Sequence, residues 1–188
     1  MADYHGIKND LIQENDHKTE ACPVTLNEKG SPTYHVLANV AHDHITADDA
    51  MIGAIQAQKA EVFYFNTLIQ RCEESKRSLM RILNACTFTE IVCDINLRKD
   101  CFGRDSLARC MEKATMVKIS DEKGHFLYDL GLLEEGDSDL PHAVAAQYPQ
   151  FENGCLHPWQ EGIGGAGFTK WDSLRIVKAG RCQGRFHG

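Results

Sequence analysis

Apolar residues recur at helical spacing over one long stretch of this chain. Between Thr46 and Cys86 the steps from one apolar residue to the next alternate between three and four positions, with two gaps. Such a stripe is typical of an amphipathic helix. Thr46 is a good N-cap residue, and the carboxylate of Asp49 can reach back to the cap amide. The pattern predicts one long amphipathic helix over residues 46–86, with the polar run 73–78 as its candidate break.

The pattern downstream predicts two shorter helices. Apolar residues continue at helical spacing between Thr87 and Lys99. Asp105 can cap a third helix that carries Leu107 and Cys110 on its apolar side. Together with the long helix, these two segments would form a helical core.

Short strands are predicted before and after this core. Residues 23–26 and 34–40 flank a turn of Asn, Gly, Ser and Pro, and residues 116–119 and 125–130 flank an Asp-Glu-Lys-Gly turn. Both arrangements are typical of antiparallel hairpins. One late strand is predicted at residues 174–177.

The sequence therefore predicts an α+β fold, in which a helical core carries small antiparallel hairpins. Residues 1–21 are polar and are expected to form a loose leader. Residues 22–188 are expected to form a single α+β domain. Within it, residues 131–188 are expected to be largely irregular, because glycines are concentrated between positions 162 and 167.

Composition and charge narrow the function classes. The chain has 188 residues, 43% of them apolar, and a net charge of −7, which suits a globular protein. No stretch reaches the 18 or so apolar residues of a membrane helix, and the polar first 20 residues lack signal-peptide features. A cytoplasmic location is predicted, with signal-independent export left open. The basic excess of +3 in residues 51–118 is too small to indicate nucleic-acid binding.

Cysteines are numerous but are not arranged as a known motif. The eight cysteines include no C-x-x-C pair, so neither a zinc ribbon nor a redox dithiol is indicated. Cys72, Cys86 and Cys93 would share one face of a continuous helix. They are interpreted as buried core thiols, because free cysteine behaves as a small hydrophobe.

Three histidines and an aspartate precede the predicted long helix. His35, His42, Asp43 and His44 carry side chains that bind zinc or another divalent transition metal. The dipeptide His42-Asp43 also resembles the metal-binding pair of the HD phosphohydrolases, a match limited to these two residues. A metal-dependent hydrolase site is one hypothesis for this cluster. Surface histidines in a linker are the alternative.

A second candidate site lies at Cys155, two residues before His157 in a loop that contains glycine. A cysteine nucleophile needs a thiolate and a base within hydrogen-bond reach, and His157 is a candidate for that base. The alternative is a loop cysteine packed by Trp159.

Three consecutive aromatic residues, Phe63, Tyr64 and Phe65, lie inside the predicted long helix. Such a run covers most of a helix circumference, so one ring must pack on a second element or meet a partner. The first function hypothesis is therefore a non-enzymatic interaction or regulatory protein, with a protein partner or self-association through residues 46–86. The alternative is a small hydrolase that uses one of the two sites above.

Overall fold

The computed structural model describes residues 9–28, 30, 32–98, 101–136, 140–151, 157–158 and 174–178. The chain forms two compact units. The first comprises the residues up to 60 together with 69–87, and the second comprises 61–68 and the residues from 88 onwards.

The first unit contains a small hairpin and two helices. Strands β1 (Val24–Leu26) and β2 (Pro32–Tyr34) pair antiparallel. A hairpin is therefore present here, but its second strand shares only Tyr34 with the predicted strand over residues 34–40. A 3₁₀ helix at Ala41–His44 follows, and then come α1 (Asp49–Gln58) and α2 (Glu73–Ala85). The buried apolar side chains of this unit include Val40, Ala47, Ile52, Ile55, Leu79 and Ile82.

The predicted single helix over residues 46–86 is wrong, because α1 begins later than expected and ends early. Asp48, not Thr46, is the N-cap of α1, and its carboxylate accepts a hydrogen bond of 2.8 Å from the N–H of Met51. A carboxylate at this position satisfies one of the free amides of the first turn. Helix α1 then ends after ten residues, at Gln58.

A left-handed residue ends α1. Lys59 adopts the left-handed conformation, with φ of 49°, and a residue in this conformation is a common helix terminator. The aromatic triplet that follows lies in strand β3 (Val62–Asn66). The polar run 73–78, the candidate break in the predicted helix, is instead the start of α2, where Glu73 and Glu74 complement the positive end of the helix.

Strand β3 belongs to a sheet that forms the second unit. The other described strands are β4 (Glu90–Asp94), β5 (Met116–Ser120), β6 (His157–Pro158) and β7 (Leu174–Lys178). The spatial order is β3-β4-β5-β7-β6. Strands β3, β4 and β5 are parallel, whereas β7 runs antiparallel to both β5 and β6. Along the chain, α2 connects β3 to β4 and α3 (Arg104–Lys113) connects β4 to β5, which is the βαβ pattern.

One face of the parallel strands is buried. Phe65, Cys93 and Val117 lie opposite one another on the three strands, and each is at most 5% exposed. Helix α3 contacts β4 and buries Leu107 and Cys110 completely. The core of the second unit therefore lies on this face of the sheet.

In two more segments, one predicted helix is a strand and one predicted strand is a helix. The predicted helix over residues 87–99 is wrong, because β4 occupies its centre. The predicted strand over residues 125–130 is also wrong, because α4 (Asp121–Asp129) covers most of it. Gly124 lies inside α4, where a Cβ atom would overlap the side chain of Leu140. The glycine therefore serves close packing in a helix and does not form the predicted turn.

The remaining predictions agree better with the structure. The third helix is present as α3, but its N-cap is Gly103, and Asp105 lies in the first turn. The strands at residues 116–119 and 174–177 are present as β5 and β7. The described residues after 130 include α5 (Leu140–Gln147) and the predicted strand β7, and the largely irregular character expected for residues 131–188 stays a prediction.

The predicted fold class is therefore wrong. The second unit contains three parallel strands that are connected along the chain by α2 of the first unit and by α3, which is an α/β pattern and not a helical core with antiparallel hairpins. In the described part of the chain, no helix combines the length and apolarity needed to cross a membrane.

Candidate functional site

The carboxyl ends of β3, β4 and β5 meet at one edge of the sheet because these strands are parallel. The strands end at Asn66, Asp94 and Ser120. In open α/β sheets, ligands bind outside this edge. We call this edge, with the residues that directly follow the strands, the carboxyl edge.

Asp94 joins side chains from all three parallel strands. The hydroxyl of Tyr64 donates a hydrogen bond of 3.1 Å to Asp94 Oδ2, and the ammonium of Lys118 donates one of 2.7 Å to the same oxygen. Side chains alternate between the faces of a strand, so these three residues share the face opposite Cys93. We call Tyr64, Asp94 and Lys118 the polar stripe.

The environment of Tyr64 keeps its phenol protonated. Partial burial, the negative charge of Asp94 and the hydrogen bond to that carboxylate raise the pKa of Tyr64 to about 12. A phenol with this pKa remains a hydrogen-bond donor across the physiological pH range. The polar stripe therefore contains a neutral donor, a carboxylate and a cation.

Hydrogen bonds between side chains and the backbone fix the shape of the carboxyl edge. Thr67, directly after β3, is fully buried. Its hydroxyl donates to the carbonyl of Asn96 at 2.7 Å and accepts from the N–H of the same residue at 3.0 Å. The ammonium of Lys123 on α4 donates to the carbonyl of Ile95 at 3.1 Å. A cation is thus held one residue beyond the end of β4.

The predicted metal ligands lie in the first unit, and the structure does not assemble them into a site. The ring of His35 is hydrogen-bonded to the hydroxyl of Thr25 at 2.9 Å, whereas His42, Asp43 and His44 lie in the 3₁₀ helix. Among the residues that the structure describes, no group of three or more His, Cys, Asp and Glu is placed to hold a metal ion. The geometry therefore gives no support for zinc or another divalent transition metal here.

Asp43 forms a buried ion pair. Its side chain is 3% exposed, and Arg71 contacts both of its oxygens, at 2.6 and 2.9 Å. Burial alone would raise the pKa of Asp43, but the hydrogen bonds from Arg71 and the Val40 N–H and the charges of Arg71 and His42 lower it below its ordinary value of 3.8. This carboxylate is therefore paired with Arg71, a cation of its own unit.

His44 is also held by its neighbours. Its Nδ1 lies 2.8 Å from Glu74 Oε2, its Nε2 lies 2.8 Å from Asn39 Oδ1, and its ring stacks on His17 with the ring centres 3.6 Å apart. Both nitrogens of His44 therefore have partners, which explains the histidine as a contact between segments of the first unit.

The other predicted site residues are only partly described. Cys155 lies outside the described residues. His157 begins β6, where its backbone pairs with that of Ile176. Of the aromatic triplet, Phe63 stacks on Phe88 with the ring centres 4.9 Å apart, Phe65 is buried, and Tyr64 belongs to the polar stripe.

The fold has counterparts among solved structures. A crystal structure of fructokinase from Xylella fastidiosa matches with a TM-score of 0.62 and 17% sequence identity, over 79% of this chain and 48% of that chain. A structure of fructokinase with bound ATP from the same organism matches with a TM-score of 0.60 and 17% identity, over 79% and 46%. This chain therefore spans about half the length of the structures it matches. At this identity the likeness shows a shared fold.

No protein-family profile and no curated protein sequence matches this chain.

These findings correct both function hypotheses. A non-enzymatic interaction or regulatory protein acting through a long amphipathic helix is wrong, because residues 46–86 form no such helix and the fold is one that fructokinases share. The small hydrolase fits no better, because the fold likeness is to sugar kinases and the metal ligands are not assembled. Self-association through residues 46–86 stays a prediction.

Proposed function

We propose that this chain is part of a sugar-kinase-type phosphotransferase and that it binds ATP at the carboxyl edge of β3, β4 and β5. The observation that carries the proposal is the ammonium of Lys123, held at the carbonyl of Ile95 directly beyond β4. A cation at this edge suits the phosphate groups of a nucleotide. The fold likeness adds support, since one of the matched fructokinase structures holds ATP.

Phosphoryl transfer requires little covalent chemistry from the protein, which mainly positions the reactants and neutralises charge. In this proposal Lys123 donates N–H groups to phosphate oxygens. The buried Thr67 hydroxyl holds the backbone at Asn96 in place, so the edge is preorganised around the ligand. The acceptor is a sugar hydroxyl, and a cytoplasmic location is part of the same proposal.

Isothermal titration calorimetry with Mg²⁺ and a non-hydrolysable ATP analogue tests the binding step. We expect Lys123→Gln to weaken binding by roughly tenfold or more, because a hydrogen bond to a charged group contributes about 1.5–3 kcal/mol. Lys76→Gln is the matched control, since Lys76 forms its ion pair with Glu73 in the first unit.

Two results would contradict the proposal. One is wild-type protein that binds no analogue at millimolar concentration. The other is equal affinity of Lys123→Gln and Lys76→Gln for the analogue. A coupled assay of ADP release with D-fructose then tests whether the bound nucleotide is turned over.

A further inference from the structure

The polar stripe lies on a sheet face where apolar side chains are expected. Strands of a parallel sheet usually read as continuous hydrophobic runs, because helices cover both faces. The buried face obeys this rule, but on the other face Tyr64, Asp94 and Lys118 are 57%, 18% and 33% exposed. Places where a sequence departs from a local rule of this kind are often functional sites.

The three side chains retain hydrogen-bonding capacity beyond their contacts with one another. Both donors reach Oδ2 of Asp94, and a carboxylate has about four acceptor sites, so Oδ1 can accept from a ligand. The ammonium of Lys118 has three N–H groups, and the oxygen of Tyr64 can accept as well as donate. The polar stripe therefore offers donors and acceptors side by side.

The charge of the polar stripe favours a neutral ligand. The carboxylate of Asp94 and the ammonium of Lys118 are paired at 2.7 Å, so the net charge is zero and the attraction for a phosphate group is small. The half-exposed ring of Tyr64 adds an apolar surface. A binding site with an aromatic wall and a few fixed polar groups is typical for a small polar organic molecule.

We infer that the polar stripe is the subsite for the sugar, binding adjacent hydroxyl groups of a neutral polyhydroxyl substrate; this rests on the proposed sugar-kinase function. Each hydroxyl of a sugar both donates and accepts, which matches the mixed capacity of the stripe. Tyr64 accepts from one hydroxyl, Asp94 accepts from its neighbour, and Lys118 donates to either.

The position of the polar stripe supports this assignment. Asp94 directly precedes Ile95, whose carbonyl holds Lys123. On this inference, the sugar hydroxyls bound by Asp94 lie one residue along the chain from the carbonyl that holds the cation assigned to the phosphate groups. This adjacency is what transfer from a nucleotide to a sugar requires, since the reacting groups must be in contact.

A titration of ¹⁵N-labelled protein with D-fructose, followed by NMR, tests the inference. We expect shifts of amide signals in β3, β4 and β5. Tyr64→Phe should weaken fructose binding about fivefold and Asp94→Asn about tenfold, as expected for the loss of one neutral and one charged hydrogen bond. Tyr34→Phe is the matched control, because Tyr34 has a similar exposure of 51% but lies in the first unit.

The outcomes separate the inference from the proposed function. If fructose binds equally well to Tyr64→Phe, Asp94→Asn and Tyr34→Phe, or if only the ATP analogue binds, the inference is overturned and the nucleotide proposal stands. If Tyr64→Phe weakens the ATP analogue as much as fructose, the stripe belongs to the nucleotide site and the inference is also overturned. If neither ligand binds, both the inference and the nucleotide proposal are contradicted. The amide spectrum of each variant verifies that it is folded.

Discussion

Neighbouring residues on the same three strands have opposite roles on the two faces of the parallel sheet. Phe65, Cys93 and Val117 are buried, and each is adjacent in sequence to a member of the polar stripe. The buried row packs the core, whereas the stripe carries a phenol, a carboxylate and an ammonium. Because successive side chains point to opposite faces, stability and ligand chemistry can be changed independently in this sheet. The difference between the faces leads to four measurements.

The largest expected effect is on stability. Ile119 is 1% exposed on the buried face of β5, so Ile119→Ala should lower the free energy of unfolding by about 2–5 kcal/mol. Val62 is 57% exposed on β3, and Val62→Ala should change it by no more than about 0.5 kcal/mol. Urea denaturation of both variants measures the difference. Equal losses of unfolding free energy in the two variants would show that the two faces are buried to the same extent.

The alkylation rate of Cys93, on the buried face, is a second test of the difference between the two faces. The hydrogen bond with Cys110, burial, and the nearby charges of Cys110 and Asp94 raise the pKa of the Cys93 thiol. Only the thiolate reacts with alkylating agents. We expect Cys93 to react with iodoacetamide at least about tenfold more slowly than the exposed Cys22. Mass spectrometry of digested protein gives both rates, and unfolding in guanidinium should make them equal.

A double-mutant cycle measures what the polar stripe contributes to stability. The pair of Asp94 and Lys118 is partly exposed, so water and salt weaken it. We expect a coupling energy of up to about 1 kcal/mol between Asp94→Ala and Lys118→Ala. A coupling of several kcal/mol would mean that the stripe holds the sheet together, and its assignment to ligand binding would lose its basis.

The smallest expected effect is confined to high pH. The pKa of Tyr64 is raised from 10.0 to about 12, so the folded protein holds this proton more tightly than the unfolded chain. The stabilising effect is complete below pH 10 and is lost as the pH rises towards 12. Comparing wild type with Tyr64→Phe by absorbance at 295 nm should reveal one tyrosine that ionises late. If the difference between the two titration curves has its midpoint near pH 10, Asp94 does not act on the phenol.

The sequence predicted those elements whose local pattern agrees with their tertiary environment. Helix α3 carries Leu107 and Cys110 on one side, and β5 alternates as a strand should. Strand β3 was missed because Phe65 continues the helical spacing of α1 by coincidence, and no glycine or proline marks the end of the helix at Lys59. Residues 59–61 separate the helix from the strand, and the first of them has a left-handed backbone.

The candidate site was missed for a related reason. Asp94 and Lys118 are 24 residues apart along the chain, and only the parallel register of β4 and β5 makes them neighbours. The available signal was a short apolar run ending in Asp94, a helical segment, and a second apolar run around Lys118, which is the pattern of a βαβ unit. The sequence pattern indicated the histidine cluster instead, because metal-binding residue types are recognisable without knowledge of the fold.

The antiparallel pairing of β7 with β5 has a consequence for the order of folding. Val62 and Glu90, partners in β3 and β4, are 28 residues apart, whereas Ser120 and Leu174 are 54 residues apart. Doubling the length of the chain that must be closed adds about 0.6 kcal/mol of entropic cost. We therefore expect the parallel strands to assemble first and β7 to join them late. Pulse-labelled hydrogen exchange during refolding would contradict this order if amides of β7 were protected before those of β4.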